Sequence, residues 1–326
     1  MILSMAFSIL ALVALFVMRE LPWLFLVSVF QGLGVALMEP SRAAYVIDVI
    51  PHDRRGMAYA TLSFLQSLSG IVAAFAAGLI VAVLDFQWLF GVAIGLELIS
   101  LVGALFYLGE SLNKEAPDRR VRARLNLEQI RMSLAMLKNP PLLAVLFGVV
   151  FHQLGLGIQN PYLSVYANQV LLFLPASVSL MLGLERLGIF IGHFPSGKIV
   201  DVYGEEISFA FHIFVTSPLM IMYVFSTDFV FAGLILFSWG LTFGLDSVSR
   251  QKLIAKYRLE SGAATAFGTI SLVSGLISLV SPTIGGWIWT SSSPQMVFYA
   301  SAAVNILGAL PLFALWLHRS RKKSKD

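Results

Sequence analysis

The stretch SRAAYVIDVIPHDRRGMAYATLSFLQSLSG, residues 41–70, decides the fold because a related stretch returns later in the chain. Residues 249–275 read SRQKLIAKYRLESGAATAFGTISLVSG and begin 208 positions after the first copy. Each copy contains an apolar segment, a charged turn and a second apolar segment, which continues through small residues to Gly78 or to Gly286. A similarity that extends over two segments and the turn between them predicts a fold of two related halves.

Both copies lie in a chain that is too apolar for a water-soluble domain. Of the 326 residues, 58% are hydrophobic and 12% are charged, whereas about 25% of the residues of a soluble domain are charged. The apolar residues form long blocks without charge, such as residues 57–84 and 261–317. About 20 helical residues cross the hydrocarbon core of a bilayer, so the longest blocks hold two spans each. The sequence therefore predicts an all-α membrane protein, without the alternation typical of a transmembrane barrel.

Turn-forming and helix-breaking residues divide the blocks into about ten transmembrane helices. Pro51, Asp85, Pro175, Gly204 and Asp228 mark five of the boundaries. The predicted helices cover residues 1–18, 21–49, 57–84, 87–108, 141–166, 174–198, 206–226, 229–254, 262–290 and 294–317.

The positive charges indicate how these helices cross the membrane. All of the 22 Lys and Arg residues except Arg19 and Arg186 fall on one side when the loops are counted in turn. Because such residues concentrate in cytoplasmic loops, we expect both termini to be cytoplasmic and do not expect a nucleic-acid partner. If residues 1–18 were instead a signal peptide, nine spans would remain and the termini would lie on opposite sides. That segment lacks a basic start and a small-residue cleavage site.

Several short motifs, in their order along the chain, resemble those of the major facilitator superfamily. FQGLG at residues 30–34 resembles the fourth-helix signature of that family, although Ser28 replaces its usual arginine. PHDRRG at residues 51–56 resembles the basic turn that follows, and SPTIGG at residues 281–286 is similar to the Gly-Pro-x-x-Gly-Gly element. GKIVDVYGEE at residues 197–206 resembles the loop between the second and third helices of each half. The resemblance places the candidate gating residues in these turns: Arg55, Gly56, Gly197, Asp201 and Gly204.

The resemblance implies a multi-pass transporter of the plasma membrane that works by alternating access and needs no cofactor. The repeat maps the predicted helix at 206–226 onto residues 1–18. We therefore expect an incomplete fold with four helices of the first six-helix bundle, lacking its first two helices, and all six of the second. The expected domains are a partial N-terminal bundle (1–108), a cytoplasmic linker (109–140), a C-terminal bundle (141–317) and a basic tail (318–326). The linker fits either an amphipathic helix at an anionic membrane surface or a solvated segment.

Ionisable residues within spans are the first candidates for a transport role, because each costs several kcal/mol unless it faces protein or water. Glu39 and Asp246 lie at matching positions of the repeated helices. Arg42 and Arg250 follow them by three and four residues, which places each pair on one helix face. Each pair fits an internal ion pair, or a carboxylate that exchanges a proton or changes partner during transport.

Glu185 and Arg186 lie near the middle of the predicted helix at 174–198. Adjacent helical residues point about 100° apart, so the two side chains do not share one neighbour easily. The glutamate fits a cavity-facing carboxylate that couples a proton, or a structural pair between helices.

The predicted helix at 141–166 carries the polar residues Gln159 and Asn160 next to Pro161. They fit contact with the substrate, or hydrogen bonds to backbone groups that the proline leaves free. His152 and His212 are interpreted as helix-contact histidines rather than proton carriers.

Small residues at helical spacing predict where helix backbones approach each other closely. They include Gly78 in the first half and Pro282, Gly285 and Gly286 in the second. Packing is the first interpretation, and in a rocking transporter the same surfaces move against each other.

These features favour proton-coupled transport of a small solute, with a drug-efflux-like subclass as the finer expectation. The alternative is a truncated, non-transporting membrane protein that binds a partner or regulates it. An intramembrane enzyme is not expected, since neither His-x-x-x-His nor Gly-x-Ser-x-Gly occurs, and no nucleotide-binding P-loop occurs either. The absence of cysteine excludes a thiolate metal site, a disulfide framework and a catalytic thiol.

Overall fold

A computed structural model describes residues 1–17, 20–51, 54–84, 86–107, 139–256 and 263–323. In this part of the chain all regular structure is helical, which confirms the predicted all-α class. The helices are α1 (Ile2–Val17), α2 (Leu21–Val49), α3 (Arg55–Val83), α4 (Phe86–Tyr107), α5 (Pro140–Gln169), α6 (Pro175–Tyr203), α7 (Glu205–Val224), α8 (Phe229–Lys256), α9 (Ala263–Ser291) and α10 (Pro294–Lys323).

The helix ends lie close to the predicted ones, because the residues that limit the helices act locally. Pro175 and Pro294 each occupy the first helical position of their helix, where a missing backbone N–H has no cost. The Asp228 carboxylate accepts hydrogen bonds from the backbone N–H groups of Val230 and Phe231, at 3.0 and 2.9 Å, and so caps α8. Only α6 and α10 extend well beyond the predicted ends, to Tyr203 and to Lys323. The basic tail predicted from residue 318 thus begins inside α10, whereas most of the predicted linker lies outside the described residues.

The sequence repeat has a counterpart in the helix bounds. Helices α2, α3 and α4 each begin 208 residues before α8, α9 and α10, respectively. Eight helices are long and apolar enough to cross a membrane, judged by length and composition over the described residues. Two further apolar segments, Ile2–Val17 and Trp23–Met38, are shorter than that.

The chain divides into two compact units, which we describe separately. The first unit comprises residues 1–69 and 75–122, and the second comprises residues 70–74 and 123–326. In the first unit α1 packs against α2 and α4. The Ser4 hydroxyl donates a hydrogen bond of 2.7 Å to the Gly34 carbonyl, and a β-carbon at Gly34 would lie 2.9 Å from Ser8 Oγ. The glycine of the FQGLG motif therefore lets α1 and α2 approach closely.

In the second unit α6 packs along α8, and α10 packs along both α5 and α7. Two apolar cores fill the space between these helices. One is built around Tyr166, Tyr223 and Phe298, and the other around Phe209 and Leu253. A set of polar side chains lies among the helices that form these cores.

Candidate functional site

Four helices of the second unit bring a chain of polar side chains into its interior. His152 of α5 and Asn305 of α10 form a hydrogen bond of 2.9 Å between Nδ1 and Oδ1. His212 of α7 and Thr242 of α8 form one of 2.8 Å between Nδ1 and Oγ1. The two imidazole rings meet edge to face, with centroids 5.1 Å apart. Both rings are at most 1% exposed, so the core contains a histidine pair that is closed to solvent.

Asp246 and Arg250 form the ion pair that their spacing on α8 predicts. Arg250 Nη2 donates to Asp246 Oδ2 at 3.0 Å, and the carboxylate is buried whereas the guanidinium is partly exposed. The second oxygen, Oδ1, is buried and has no hydrogen-bond partner among the described residues. Asp246 and Arg250 follow Thr242 by four and eight residues, which places the pair on the face of α8 that carries Thr242 and its bond to His212.

Gln159 and Asn160, which the sequence treats together, have different surroundings. Gln159 is fully buried, and its Oε1 accepts a hydrogen bond of 2.7 Å from the Ser301 hydroxyl of α10. The Ser301 oxygen also lies 2.8 Å from the Gly155 carbonyl. Asn160 is exposed. Gln159 therefore joins α5 to α10, whereas Asn160 lies at the surface of the unit.

Glu185 and Arg186 are separated in the way that adjacent helical positions predict. The Glu185 residue is 8% exposed and Arg186 is exposed. Among the described residues no hydrogen bond or ion pair of the Glu185 carboxylate is found, although the Arg186 charge acts on it. The two adjacent residues thus differ in burial, with the carboxylate inside the unit and the guanidinium at its surface.

Glu185 lies where α6 and α8 approach each other most closely. Gly188 and Gly192 of α6 abut the backbone carbonyls of Phe237 and Leu241 on α8, with no space for a β-carbon. Reciprocally, glycines of α8 abut the backbone of α6: Gly240 lies against Glu185 and Gly244 against Gly192. Paired Gly-x-x-x-Gly sequences of this kind let two helix backbones pack without intervening side chains.

Of the candidate gating residues that the sequence places in a turn, only Gly204 lies between α6 and α7, whereas Gly197 and Asp201 lie within α6, which extends to Tyr203. Gly197 has open space around its α-carbon, and Asp201 lies in the last turn of α6, where it pairs with Lys252 of α8. Gly204 is the single residue between the helices and has φ of 97°, a conformation that strongly favours glycine.

Acidic residues that follow this turn are bound within the second unit. Lys256 Nζ lies 2.8 Å from both Glu205 Oε2 and Glu206 Oε1, and Arg319 Nη1 lies 3.0 Å from Glu206 Oε1. The Glu206 side chain is 2% exposed, and these two cations help to compensate its buried negative charge. The resulting network connects α7, α8 and α10 beside an open pocket of about 310 Å³ that is also lined by Trp316.

The predicted packing residues of α9 contact α5. The Tyr162 hydroxyl donates a hydrogen bond of 2.9 Å to the Pro282 carbonyl. A β-carbon at Gly285 would overlap the Ile158 carbonyl, and one at Gly286 would lie 2.7 Å from the Tyr162 hydroxyl. These residues therefore allow α9 to lie close to α5.

In the first unit, Arg42 is half-buried on α2 and Gly78 is buried on α3. Arg55 and Gly56 begin α3. The structure does not describe the side chains of Glu39, Arg55 and Gly56. The predicted pairing of Glu39 with Arg42 therefore stays a prediction.

Sequence reasoning missed several partners in the second unit. The Gly-x-x-x-Gly spacing at 188–192 and at 240–244 was visible in the sequence and predicts close packing. Ser301 and Asn305, which complete the polar contacts of α5, lie four residues apart on one face of α10. Nothing in their sequence neighbourhood marks them, because their partners come from a helix about 150 residues away.

A family model described as the Major Facilitator Superfamily matches the chain over residues 1–257 and again over residues 145–326. No curated protein sequence matches the chain. A POT family transporter solved in complex with a thioalcohol conjugated peptide is similar in fold, with a TM-score of 0.75 and 15% identity over 96% of this chain and 80% of that one. A POT family transporter in complex with 5-aminolevulinic acid gives a TM-score of 0.72 and 13% identity over 96% and 80% of the two chains. Peptide transporter POT in complex with sulfate gives a TM-score of 0.73 and 14% identity over 98% of this chain and 80% of that one.

At these identities the solved structures show the fold alone, whereas the family model covers the whole chain. The apolar helices agree with that family, whose members are multi-pass membrane proteins. The chain therefore belongs to the Major Facilitator Superfamily of integral membrane transporters.

Proposed function

We propose that this protein moves a small solute across the membrane by alternating access, through a water-filled cavity that reaches α5 and α6. The observation that supports it is the exposed Arg186 in the middle of α6. It lies 11 residues from the start of that helix, or about 16 Å at 1.5 Å per residue. That is near the centre of a hydrocarbon core of about 30 Å. A guanidinium facing lipid there costs about 3 kcal/mol or more, so water must reach it.

Asn160 supports the same cavity from the neighbouring helix. It is exposed and lies nine residues before the end of α5, at a depth of about 14 Å from the turn that joins α5 to α6. Two exposed polar side chains therefore lie at similar depth on consecutive helices. Glu185, buried beside Arg186, places a carboxylate within reach of the proposed cavity.

The finer features of the transport cycle are part of the same proposal. The buried carboxylates Glu185 and Asp246 support coupling to protons. The predominance of apolar and neutral groups supports a neutral or lipophilic solute, as in drug efflux. The clustering of Lys and Arg on one side supports cytoplasmic termini in the plasma membrane.

Proteoliposomes with an imposed pH gradient test the proposal. We would measure movement of two probes, the lipophilic cation ethidium and a fluorescent dipeptide, in wild-type protein and in the variants Arg186→Gln and Asn160→Ala. The expected result is gradient-dependent movement of ethidium that Asn160→Ala lowers at least about tenfold, as expected for a lost contact worth about 1.4 kcal/mol, and that Arg186→Gln changes by a similar factor. Ser238→Ala, which changes an exposed hydroxyl bonded only to its own helix, is the matched control.

Movement of the dipeptide alone would refute the drug-efflux subclass and retain transport. If neither probe moved in a vesicle that retained folded protein, the alternative of a non-transporting, partner-binding protein would be favoured. Equal activity of Arg186→Gln and wild type would contradict the assignment of the cavity to α6.

A further inference from the structure

We propose that His152 and His212 together form an internal protonation site, which takes up the coupling proton at the Nε2 atoms of the two rings with Asp246 as its counter-charge. This inference deepens the proposed function, and its claim that the proton is coupled to transport rests on that function. It rests on hydrogen-bond geometry for the site itself. The site differs from the proton-coupling candidates that the sequence indicates, which are carboxylates.

The hydrogen bonds of His152 fix which of its nitrogens carries the hydrogen. Its Nδ1 faces Oδ1 of Asn305 at 2.9 Å. An amide oxygen only accepts hydrogen bonds, so Nδ1 must be the donor. In the neutral ring Nε2 then carries the lone pair, and this atom is buried without a hydrogen-bond partner among the described residues.

His212 is assigned the same tautomer through a different partner. The Thr242 hydroxyl lies 2.8 Å from the Trp239 carbonyl, to which it is assigned as donor. In this arrangement its oxygen accepts from His212 Nδ1, which lies 2.8 Å away. His212 Nε2 is left with a lone pair as well, and it too is buried without a partner among the described residues.

The cluster thus has three acceptors that lack a donor, and one donor, Asn305 Nδ2, that lacks an acceptor among the described residues. Two bare Nε2 atoms belong to rings whose centroids are 5.1 Å apart, and the Asp246 Oδ1 atom is a third unpaired acceptor. Each buried acceptor left unpaired costs about 1–3 kcal/mol. One added proton converts an Nε2 into a donor and places a positive charge in the cluster that also contains the Asp246 carboxylate. The only bond formed is N–H, and the proton comes from bulk water and returns to it.

The charges around the pair are consistent with a single proton. Among the described residues, the charges of Asp246 and Arg250 act on the His152 ring, and those of His152 and Arg250 act on the His212 ring. Arg250 neutralises Asp246 through Oδ2 while the cluster is unprotonated. A second proton would place two positive rings edge to face in a buried core, which Asp246 alone cannot balance. A metal ion is not favoured, because the described residues hold no group of three His, Cys, Asp or Glu ligands.

The position of Thr242 connects the site to the helices that the proposed cavity uses. Thr242 lies on α8 between Gly240, which packs against the Glu185 backbone of α6, and Gly244, which packs against Gly192 of the same helix. A change in the hydrogen bond between His212 and Thr242 therefore acts on the helix that supports Glu185. Protonation of the pair can therefore affect the position of α6 without any contact between the histidines and the solute.

The site is tested by ¹⁵N NMR of histidine-labelled protein in detergent between about pH 5 and pH 8, where histidine normally titrates. The chain has five histidines, so single variants assign the signals. At the upper end of this pH range both rings should be neutral and show the Nδ1–H tautomer. On acidification they should change together in one step that corresponds to one proton for the pair. In His212→Asn, which retains a donor near the δ position, the proton affinity of His152 should fall about tenfold or more.

His193→Asn is the matched control, because that histidine is exposed and bonded only to its own helix. It should leave the shared step unchanged. The proposal is overturned if both buried rings stay neutral throughout the range, as they would with a bridging water molecule, or if each takes up a proton independently of the other.

The NMR result needs no solute, so it is separate from the fate of the proposed function. Uptake in proteoliposomes then tests coupling: His152→Asn should still equilibrate a probe but no longer accumulate it along a pH gradient. Accumulation equal to that of wild type overturns the coupling role. If no probe moves in wild-type vesicles, the proposed function fails, and the NMR result alone decides whether the pair binds a proton.

Discussion

Gly192 of α6 abuts the backbone carbonyl of Leu241 on α8, and no β-carbon fits between them. Replacing it with alanine should force the two helices apart, because a backbone carbonyl cannot rotate away as a side chain does. We expect Gly192→Ala to lower the free energy of unfolding by about 1–3 kcal/mol, the usual range for overpacking. Thermal unfolding in detergent, followed by tryptophan fluorescence, measures the change.

Gly197 of the same helix is the matched control, since a β-carbon there meets nothing within 4 Å. Gly197→Ala should leave stability unchanged or raise it by up to about 1 kcal/mol through helix propensity. Equal losses for both variants would mean that the contact between α6 and α8 is not what makes Gly192 necessary.

Glu206 should contribute more to stability than its neighbour Glu205. Glu206 is buried and interacts with both Lys256 and Arg319, whereas Glu205 is more exposed and is paired with Lys256. We expect Glu206→Gln to cost about 1–3 kcal/mol, because two charge-assisted hydrogen bonds weaken in a buried position.

Glu205→Gln is the matched change and should cost less than about 1 kcal/mol, as partly exposed ion pairs usually do. Thermal unfolding at low and high salt distinguishes the two, because salt screens the exposed pair more strongly. A larger effect for Glu205→Gln would refute the network in the form described.

Gln159 and Asn160 should separate into a structural and a functional residue. Gln159→Ala removes the acceptor of the Ser301 hydroxyl and should lower stability by about 1 kcal/mol. Asn160→Ala should leave stability unchanged and alter only the movement of solute. The double variant Gln159→Ala/Ser301→Ala should cost less than the sum of the single changes, which a double-mutant cycle measures. Strict additivity would mean that the two side chains do not interact.

Single cysteines can test the proposed cavity directly, because the chain contains none. Arg186→Cys and Asn160→Cys should react with a charged, membrane-impermeant thiol reagent, since only water brings such a reagent to mid-membrane depth. Met181→Cys, at a position with 0% exposure on the same helix, should stay unmodified. Labelling is read by mass spectrometry, and an unreactive Arg186→Cys would place that side chain outside the water-filled path.

Much of the fold could be predicted from the sequence because the signals are local. Charge-free blocks of sufficient length specify the spans, and single residues such as Asp228 and Gly204 specify where helices begin or end. The spacing of Asp246 and Arg250 likewise specified a pair, since both lie on one face of one helix. The two largest boundary differences, at the ends of α6 and α10, lie where charged residues extend a helix beyond its apolar block.

The candidate site could be predicted only in part, because its contacts join distant helices. Gln159 and Asn160 are adjacent in sequence and equally polar, yet one is buried against Ser301 and the other is exposed. Which of the two is buried depends on the rotation of α5 relative to α10. A residue pattern on α5 alone contains no information on that rotation.

The sequence by itself determined the all-helical class, the repeat and the polar residues available to the membrane interior. Hydrophobic length and turn residues act on the chain within a few positions, so they can be read without a partner. Only the tertiary structure decided that His152 contacts His212 and that the Nε2 atoms of both rings are buried without a hydrogen-bond partner among the described residues. That result depends on how four helices cross, which depends on the packing of all their faces at once.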